Sequence, residues 1–245
     1  MENGLRPIGD TAPEDIFVCG FPRSGHTWFQ NLLAGAVFGI DPELAPDSLI
    51  QDLVPDVHYK HAYKRYGPIA YFKSHALPRK DYRRVVYLLR DGRDAMVSYW
   101  HFLTALRGKV DFLRLVEGDG LSPCHWHEHV EAWRANPHGA EVLVVRYEEL
   151  QKSTVEVLRR FCTFARLDRG DEHLTRVADK AAFTLAQAKE RRQGWDNTSW
   201  PKEHAFIRRG QVGSWRDEMP ADVLAAFLRR AGKTLAEYGY VSVQK

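Results

Sequence analysis

Gly20-Phe21-Pro22-Arg23-Ser24-Gly25-His26-Thr27 decides the fold, because of what stands on either side of it. Before it, Asp15-Ile16-Phe17-Val18-Cys19 is a short apolar run. After it, Trp28, Leu32, Leu33 and Val37 recur at helical spacing. The two glycines and the proline between them suit neither element, so the reading is strand, glycine loop, helix. The loop has the spacing G-x-x-x-x-G-K-[ST] of a phosphate-binding turn, with His26 in the lysine position. In such a turn backbone N–H groups and the positive end of the following helix face an anion. The fixed cation here is Arg23, three residues earlier. From inside the loop an arginine can approach the bridging oxygen between a phosphate and its terminal group, where leaving-group charge develops.

Outward from the loop, strand and helix patterns alternate. Residues 70–73 predict a second strand ending in Ser74-His75, 84–89 (RVVYLL) a third and buried one, and 141–145 (EVLVV) a fourth. Residues 91–106, 128–135 and 153–165 predict helices. Residues 41–70, with Pro42, Pro46, Pro55 and Pro68 and little periodicity, predict a long loop or short helices draped over a site. The expectation is an α/β fold: one domain over 1–245, its parallel sheet flanked by helices on both faces.

The bulk properties are compatible with this. A chain of 245 residues, 44% hydrophobic, can bury one full core. Its net charge of +3 comes from scattered basic pairs rather than a polybasic tail, which suits one anionic ligand and argues against nucleic acid. Cys19, Cys124 and Cys162, odd in number and widely spaced, predict a reducing compartment rather than a disulfide framework. The first fifteen residues lack an apolar core of a signal peptide, and the apolar stretch 32–40 is about half of the roughly 20 residues that span a bilayer. A cytoplasmic protein without a transmembrane segment is expected.

Pro22-Arg23-Ser24-Gly25-His26-Thr27-Trp28 resembles the P-K-S-G-T-T-W loop of the cytosolic sulfotransferases, which have a P-loop kinase-like fold and use 3′-phosphoadenosine 5′-phosphosulfate (PAPS) as donor. Arg23 stands for the usual lysine and His26 for a threonine. Arginine forks to two oxygens and cannot copy a lysine's point contact. The segment 90–102, beginning Arg90-Asp91-Gly92-Arg93-Asp94, resembles the family's second block, in which an arginine and a serine eight residues on hold the 3′-phosphate. Arg90 and Ser98 take those places. A guanidinium at a strand's C-terminal edge and a hydroxyl on the next helix converge on the crevice where α/β sheets bind ligands. Phe206-Ile207-Arg208-Arg209-Gly210-Gln211-Val212-Gly213-Ser214-Trp215-Arg216 is similar to the family's R-K-G-x-x-G-x-W-K loop, with Arg209 for lysine.

The resemblance runs from about residue 15 to 216, with the three blocks in order. It implies that Arg23, Ser24, Gly25, His26, Thr27, Trp28, Arg90, Ser98, Phe206, Arg208, Arg209 and Gly210 bind the nucleotide, and that Trp28, Tyr147 and Phe183 stack on or edge the adenine. Lys73-Ser74-His75 resembles the family's K-T-H, whose histidine is the catalytic base. An imidazole is a competent base near neutral pH. Lys73 and Arg23 would stabilise charge on the transferring group and on the departing adenosine 3′,5′-bisphosphate (PAP) in an in-line displacement that demands no metal.

His125, His127 and His129 resemble a zinc cluster at first sight. On a helix only His125 and His129 share a face and no further ligand is evident, so no functional metal is expected. The acceptor, a phenol, alcohol, amine or sugar hydroxyl, would lie between 41–70 and 103–125, where no motif identifies it. The family's K-x-x-x-T-V dimer segment has no match near Arg216, which leaves the oligomeric state open. Two rivals stand beside this reading: a P-loop kinase or NTPase holding Mg-ATP through Thr27 and Asp91, and a nucleotide-binding homologue without catalysis.

Overall fold

The computed structural model describes residues 4–197 and 200–241. In chain order its first half runs β1 (Leu5–Pro7), β2 (Ile16–Gly20), α1 (His26–Phe38), α2 (Asp47–Leu53), β3 (Ala62–Lys64), β4 (Tyr71–Ser74), β5 (Arg84–Leu89), α3 (Gly92–Arg107) and α4 (Phe112–Glu117). The second half runs α5 (Trp126–Ala135), β6 (Glu141–Arg146), α6 (Tyr147–Lys152), α7 (Thr154–Ala165), α8 (Asp171–Lys180), α9 (Phe183–Gln193), α10 (Trp215–Glu218) and α11 (Ala221–Glu237).

The central sheet has the order β4-β2-β5-β6, and every neighbouring pair is parallel. β2 and β5 are buried along their whole length, which is why they read as continuous apolar runs. Alternate side chains along them point to opposite faces. Phe17, Cys19, Val85, Tyr87 and Leu89 meet Met96, Leu103, Trp126, Val130 and Phe227 from α3, α5 and α11 on one face. Ile16, Val18, Val86 and Leu88 meet Phe29, Leu32, Phe161 and Leu174 from α1, α7 and α8 on the other. A side chain of this size contributes about 1.5–3 kcal/mol when fully buried, so the two layers together hold the sheet rigid beneath the loop. The result is a single α/β domain, as expected.

Residues 41–70 carry more order than their prolines suggest. They hold α2 and β3, and β3 pairs antiparallel with β1. Ahead of β3, the backbone of 55–57 binds the edge of β4: Lys73 N donates to Pro55 O at 2.9 Å and Val57 N to Lys73 O at 3.0 Å. Asp91 caps α3 by accepting from Arg93 N at 2.9 Å, which sets that helix's start at Gly92.

Candidate active site

The glycine loop leaves the C-terminal end of β2 and enters α1 through Gly25. Gly25 has φ +102°, and a Cβ there would lie 2.7 Å from Tyr147 Cδ2, so both backbone and space require glycine. Gly20 is constrained by space: a Cβ would meet Leu88 O at 2.5 Å and His26 Cε1 at 3.1 Å. Arg23 has φ +69°, a left-handed conformation that costs a non-glycine residue energy and so must be held from outside. The hold comes from Arg90, whose Nη1 donates to Arg23 O at 3.1 Å, and from Ser24 N donating to Phe21 O at 3.2 Å.

The Arg23 guanidinium turns toward α3. Its Nε donates to Ser98 Oγ at 3.2 Å, and the group lies between the rings of Phe102 at 5.0 Å and Phe206 at 4.9 Å. Burial lowers its pKa to about 10, with Arg90 and Arg208 adding like-charge repulsion. Arg90 lies over the Tyr147 ring at 4.2 Å and donates to Gln211 O at 3.2 Å. Two blocks far apart in sequence are thereby brought to one point, and the third touches both.

That third loop is fastened by a residue without a motif of its own. Asp94, 1% exposed, accepts from Gly213 N at 2.7 Å, Trp215 N at 2.9 Å and Ser214 Oγ at 3.2 Å. Tyr147 donates its hydroxyl to Gly210 O at 2.8 Å. Gly210 has φ +60°, and a Cβ there would lie 2.2 Å from Phe183 Cε2. Trp28 donates Nε1 to Ala181 O at 2.8 Å and stands edge-on to Tyr147 at 5.8 Å. Trp28 and Phe183 both line a cavity of about 580 Å³ together with Ser153, Thr154 and Ala182. Trp28 thus stands beside Tyr147, and Phe183 beside the Gly210 that Tyr147 binds.

Arg208 and Arg209 are both held by Glu218. Arg208 forks onto Glu218 at 2.6 and 3.0 Å, and Arg209 reaches the same carboxylate at 3.0 Å. His101 donates to Glu218 at 2.7 Å. Burial alone would raise the Glu218 pKa, but the hydrogen bonds from Arg208 and His101 prevail and hold it at about 2.

His75 sits at the other side of the loop. Its Nδ1 lies 3.0 Å from Gly20 O, and a carbonyl accepts only, so Nδ1 carries the proton and Nε2 keeps its lone pair. Tyr87 donates to His129 Nδ1 at 2.9 Å, and His129 Nε2–H donates in turn to His75 O at 3.2 Å. Burial, reinforced by Lys73, drives the His75 pKa to about 3. The His26 ring packs edge-on to His75 at 4.3 Å and is likewise held neutral, by burial first and then by His75 and Lys73. Lys73 binds Asp56, which is 2% exposed, at 3.0 Å.

His129 is thus a buried support, and His125, the residue before α5, donates its N–H to Glu128 at 2.9 Å. Among the described residues no group of His, Cys, Asp or Glu is placed to hold a metal ion. Asp94, Glu218, Asp56, His58 and Phe102 were not singled out from sequence. Asp94 and Phe102 lie inside the second block, and position within it is the one signal that could have marked them.

The crevice suits a doubly charged anion. Ser24 Oγ and Arg90 Nε are buried without a partner among the described residues, and α1 begins without a side-chain cap among them, leaving its first N–H groups available. A phosphate-binding loop at the end of a parallel strand, with cations and aromatics converging on it, defines an α/β nucleotide-binding protein.

The family model described as "Sulfotransferase domain" matches residues 13–239. The chain belongs to the sulfotransferase family, enzymes that transfer sulfate from PAPS. The Sulfotransferase 1E1 of Bos taurus is 24% identical over 235 residues, covering 85% of this chain and 79% of that protein. A retinol dehydratase solved with androsterone and PAP superposes with a TM-score of 0.71 at 20% identity, over 91% of this chain and 81% of its own. Mouse sulfotransferase SULT7A1 complexed with PAP gives a TM-score of 0.68 at 20% identity, over 94% and 88%. Among the described residues no helix is long and apolar enough to cross a membrane.

Proposed function

We propose that residues 1–245 act as one domain that moves the sulfuryl group of PAPS onto a hydroxyl or amine of a small acceptor, with His75 as base. The observation that carries this is the meeting of Arg23 with both Ser98 and Arg90, while His75 is tied to Gly20 at the start of the same loop. When bound, PAPS supplies an activated sulfuryl group whose leaving group is a bisphosphate. Ser24, Gly25, His26 and Thr27 offer main-chain N–H groups to the 5′ end, and Arg90 with Ser98 holds the 3′-phosphate. Trp28, Tyr147 and Phe183 enclose the adenine, and Phe206, Arg208, Arg209 and Gly210 close the loop over it.

His75 takes the acceptor's proton at Nε2, its Nδ1–H fixed on Gly20 O. Arg23 and Lys73 supply positive charge where negative charge builds up on the departing bisphosphate, Lys73 from its place on Asp56. A kinase reading is not favoured: the lysine that reaches a terminal phosphoryl group is replaced by His26, whose ring is turned inward and held neutral. Three cysteines free of disulfides among the described residues accord with a cytoplasmic setting. The acceptor class stays a phenol, alcohol, amine or sugar hydroxyl.

The test has two arms. PAP should raise the melting temperature without magnesium, and His75→Ala should abolish turnover across an acceptor panel while keeping PAP affinity. Stabilisation by Mg-ATP alone, or a loss of PAP binding in His75→Ala equal to that in Arg90→Ala, refutes the assignment.

A further inference from the structure

One hydrogen bond at His75 has no role in the scheme above. The main-chain N–H of His75 donates to Nε2 of His58 at 2.9 Å, and the two rings lie near parallel with centroids 6.0 Å apart. A backbone N–H can only donate, so His58 Nε2 is the unprotonated nitrogen and the ring is neutral. His58 is fixed in turn. Its own N–H donates to Asp56 Oδ1 at 2.9 Å, the other Asp56 oxygen lies 3.0 Å from Lys73 Nζ, and residues 55–57 bind the backbone of Lys73. Among the described residues, the charged or titratable groups in contact with His58 are Asp56 from its own segment and His75 from the end of β4, and Lys73 stands behind them on Asp56. Asp56 and Lys73 are ion-paired at 3.0 Å.

We propose that His58 is a positioning residue for His75: its neutral ring holds the backbone of the catalytic histidine, and protonation of His58 releases it. A proton on Nε2 would set N–H against N–H, breaking the bond, and would place a cation beside the imidazole that must itself accept a proton. Both effects lower turnover as pH falls. Neither touches Arg23, Arg90 or Ser98, so the loss appears in kcat and not in the KM for PAPS. Titration of His75 itself belongs to a much lower pH, because burial and Lys73 depress it to about 3. The inference rests on His75 being the base, and its test separates the two.

Protein labelled with 15N-histidine is followed by NMR from about pH 8 to about pH 4. The His75 amide is identified by its loss in His75→Asn, and the His58 ring by its loss in His58→Gln. The expected result is an upfield move of the His75 amide proton in step with titration of the His58 ring. In His58→Gln, whose side-chain oxygen reaches a similar point and stays unprotonated, that move is absent. An amide that stays still while the His58 ring titrates overturns the proposal.

Kinetics with 4-nitrophenol and PAPS supply the second readout. His58→Gln keeps neutral-pH turnover and extends it to lower pH, whereas His58→Ala loses about tenfold in kcat with PAPS KM unchanged. Full kcat in a folded His58→Ala also overturns the proposal. An active His75→Ala, by contrast, sinks the base assignment and leaves the amide titration to decide the role of His58.

Discussion

Asp94→Ala probes how the third loop is kept over the crevice. The carboxylate is 1% exposed and accepts from Gly213 N, Trp215 N and Ser214 Oγ at 2.7, 2.9 and 3.2 Å. A hydrogen bond to a charged group contributes about 1.5–3 kcal/mol, and truncation also strands two partly buried N–H groups. Taking the two shorter bonds at about 2 kcal/mol each and neglecting the third gives a loss of about 4 kcal/mol. For a domain of this size that lowers Tm by about 8–16 °C. Asp94→Asn keeps one accepting oxygen and should lose about half as much. Calorimetry measures the loss, and titration with PAP measures its functional side: the Ala variant should bind PAP more weakly, because Arg208, Arg209 and Gly210 belong to the freed loop. A fall of less than about 3 °C with PAP affinity intact would refute the reasoning.

Other perturbations address the neighbouring parts of the crevice. Arg90→Ala removes the hold on Arg23 O and on Gln211 O, and should weaken PAP binding by about 1.5–3 kcal/mol in calorimetric titration. Gly210→Ala adds a Cβ 2.2 Å from Phe183 and must displace that ring, so PAP affinity should fall about tenfold while the sheet keeps its thermal stability. Acid should destabilise the fold through His129, which is fully buried, and His75, which is half-buried. His129 and His75 are held neutral with pKa values near about 4 and about 3, both shifted by burial first, so the unfolded chain binds protons that the folded one refuses. Their contribution to stability is complete above about pH 6.5 and declines as pH falls toward those values, His129 alone accounting for about 3 kcal/mol by pH 4. Chemical unfolding at pH 7 and pH 4.5 checks this, and equal stability at both contradicts it.

How far the chain could be read depended on whether a residue's meaning is local. β2, β5 and the glycine loop were legible because continuous apolar runs and glycine spacing are features of neighbouring residues. Arg23, Ser98 and Arg90 are named by a motif, and the structure puts the three in contact. The order β4-β2-β5-β6 was not legible, since strand patterns do not say which strand lies beside which. Asp94 reaches partners 119 to 121 residues away, and nothing in its neighbourhood announces that. The fork of Arg208 on Glu218 was missed for a related reason: a basic pair invites an anionic ligand, and the chain supplies its own carboxylate ten residues on. Residues 41–70 read as irregular because β3 and the 55–57 bridge draw their stability from β1 and β4 rather than from their own periodicity.

Cys19 lies at the inner end of β2, one residue before the glycine loop, with no exposed surface and a thiol pushed well above its ordinary pKa by burial. An alkylating reagent can reach that sulfur only when the middle of the molecule comes apart, since thiolate and access are both denied in the closed form. The rate at which maleimide consumes Cys19 is therefore a clock for the rarest breathing motion of the protein. Slowing of that clock by a bound nucleotide would report, without any acceptor, how tightly donor occupancy locks the sheet.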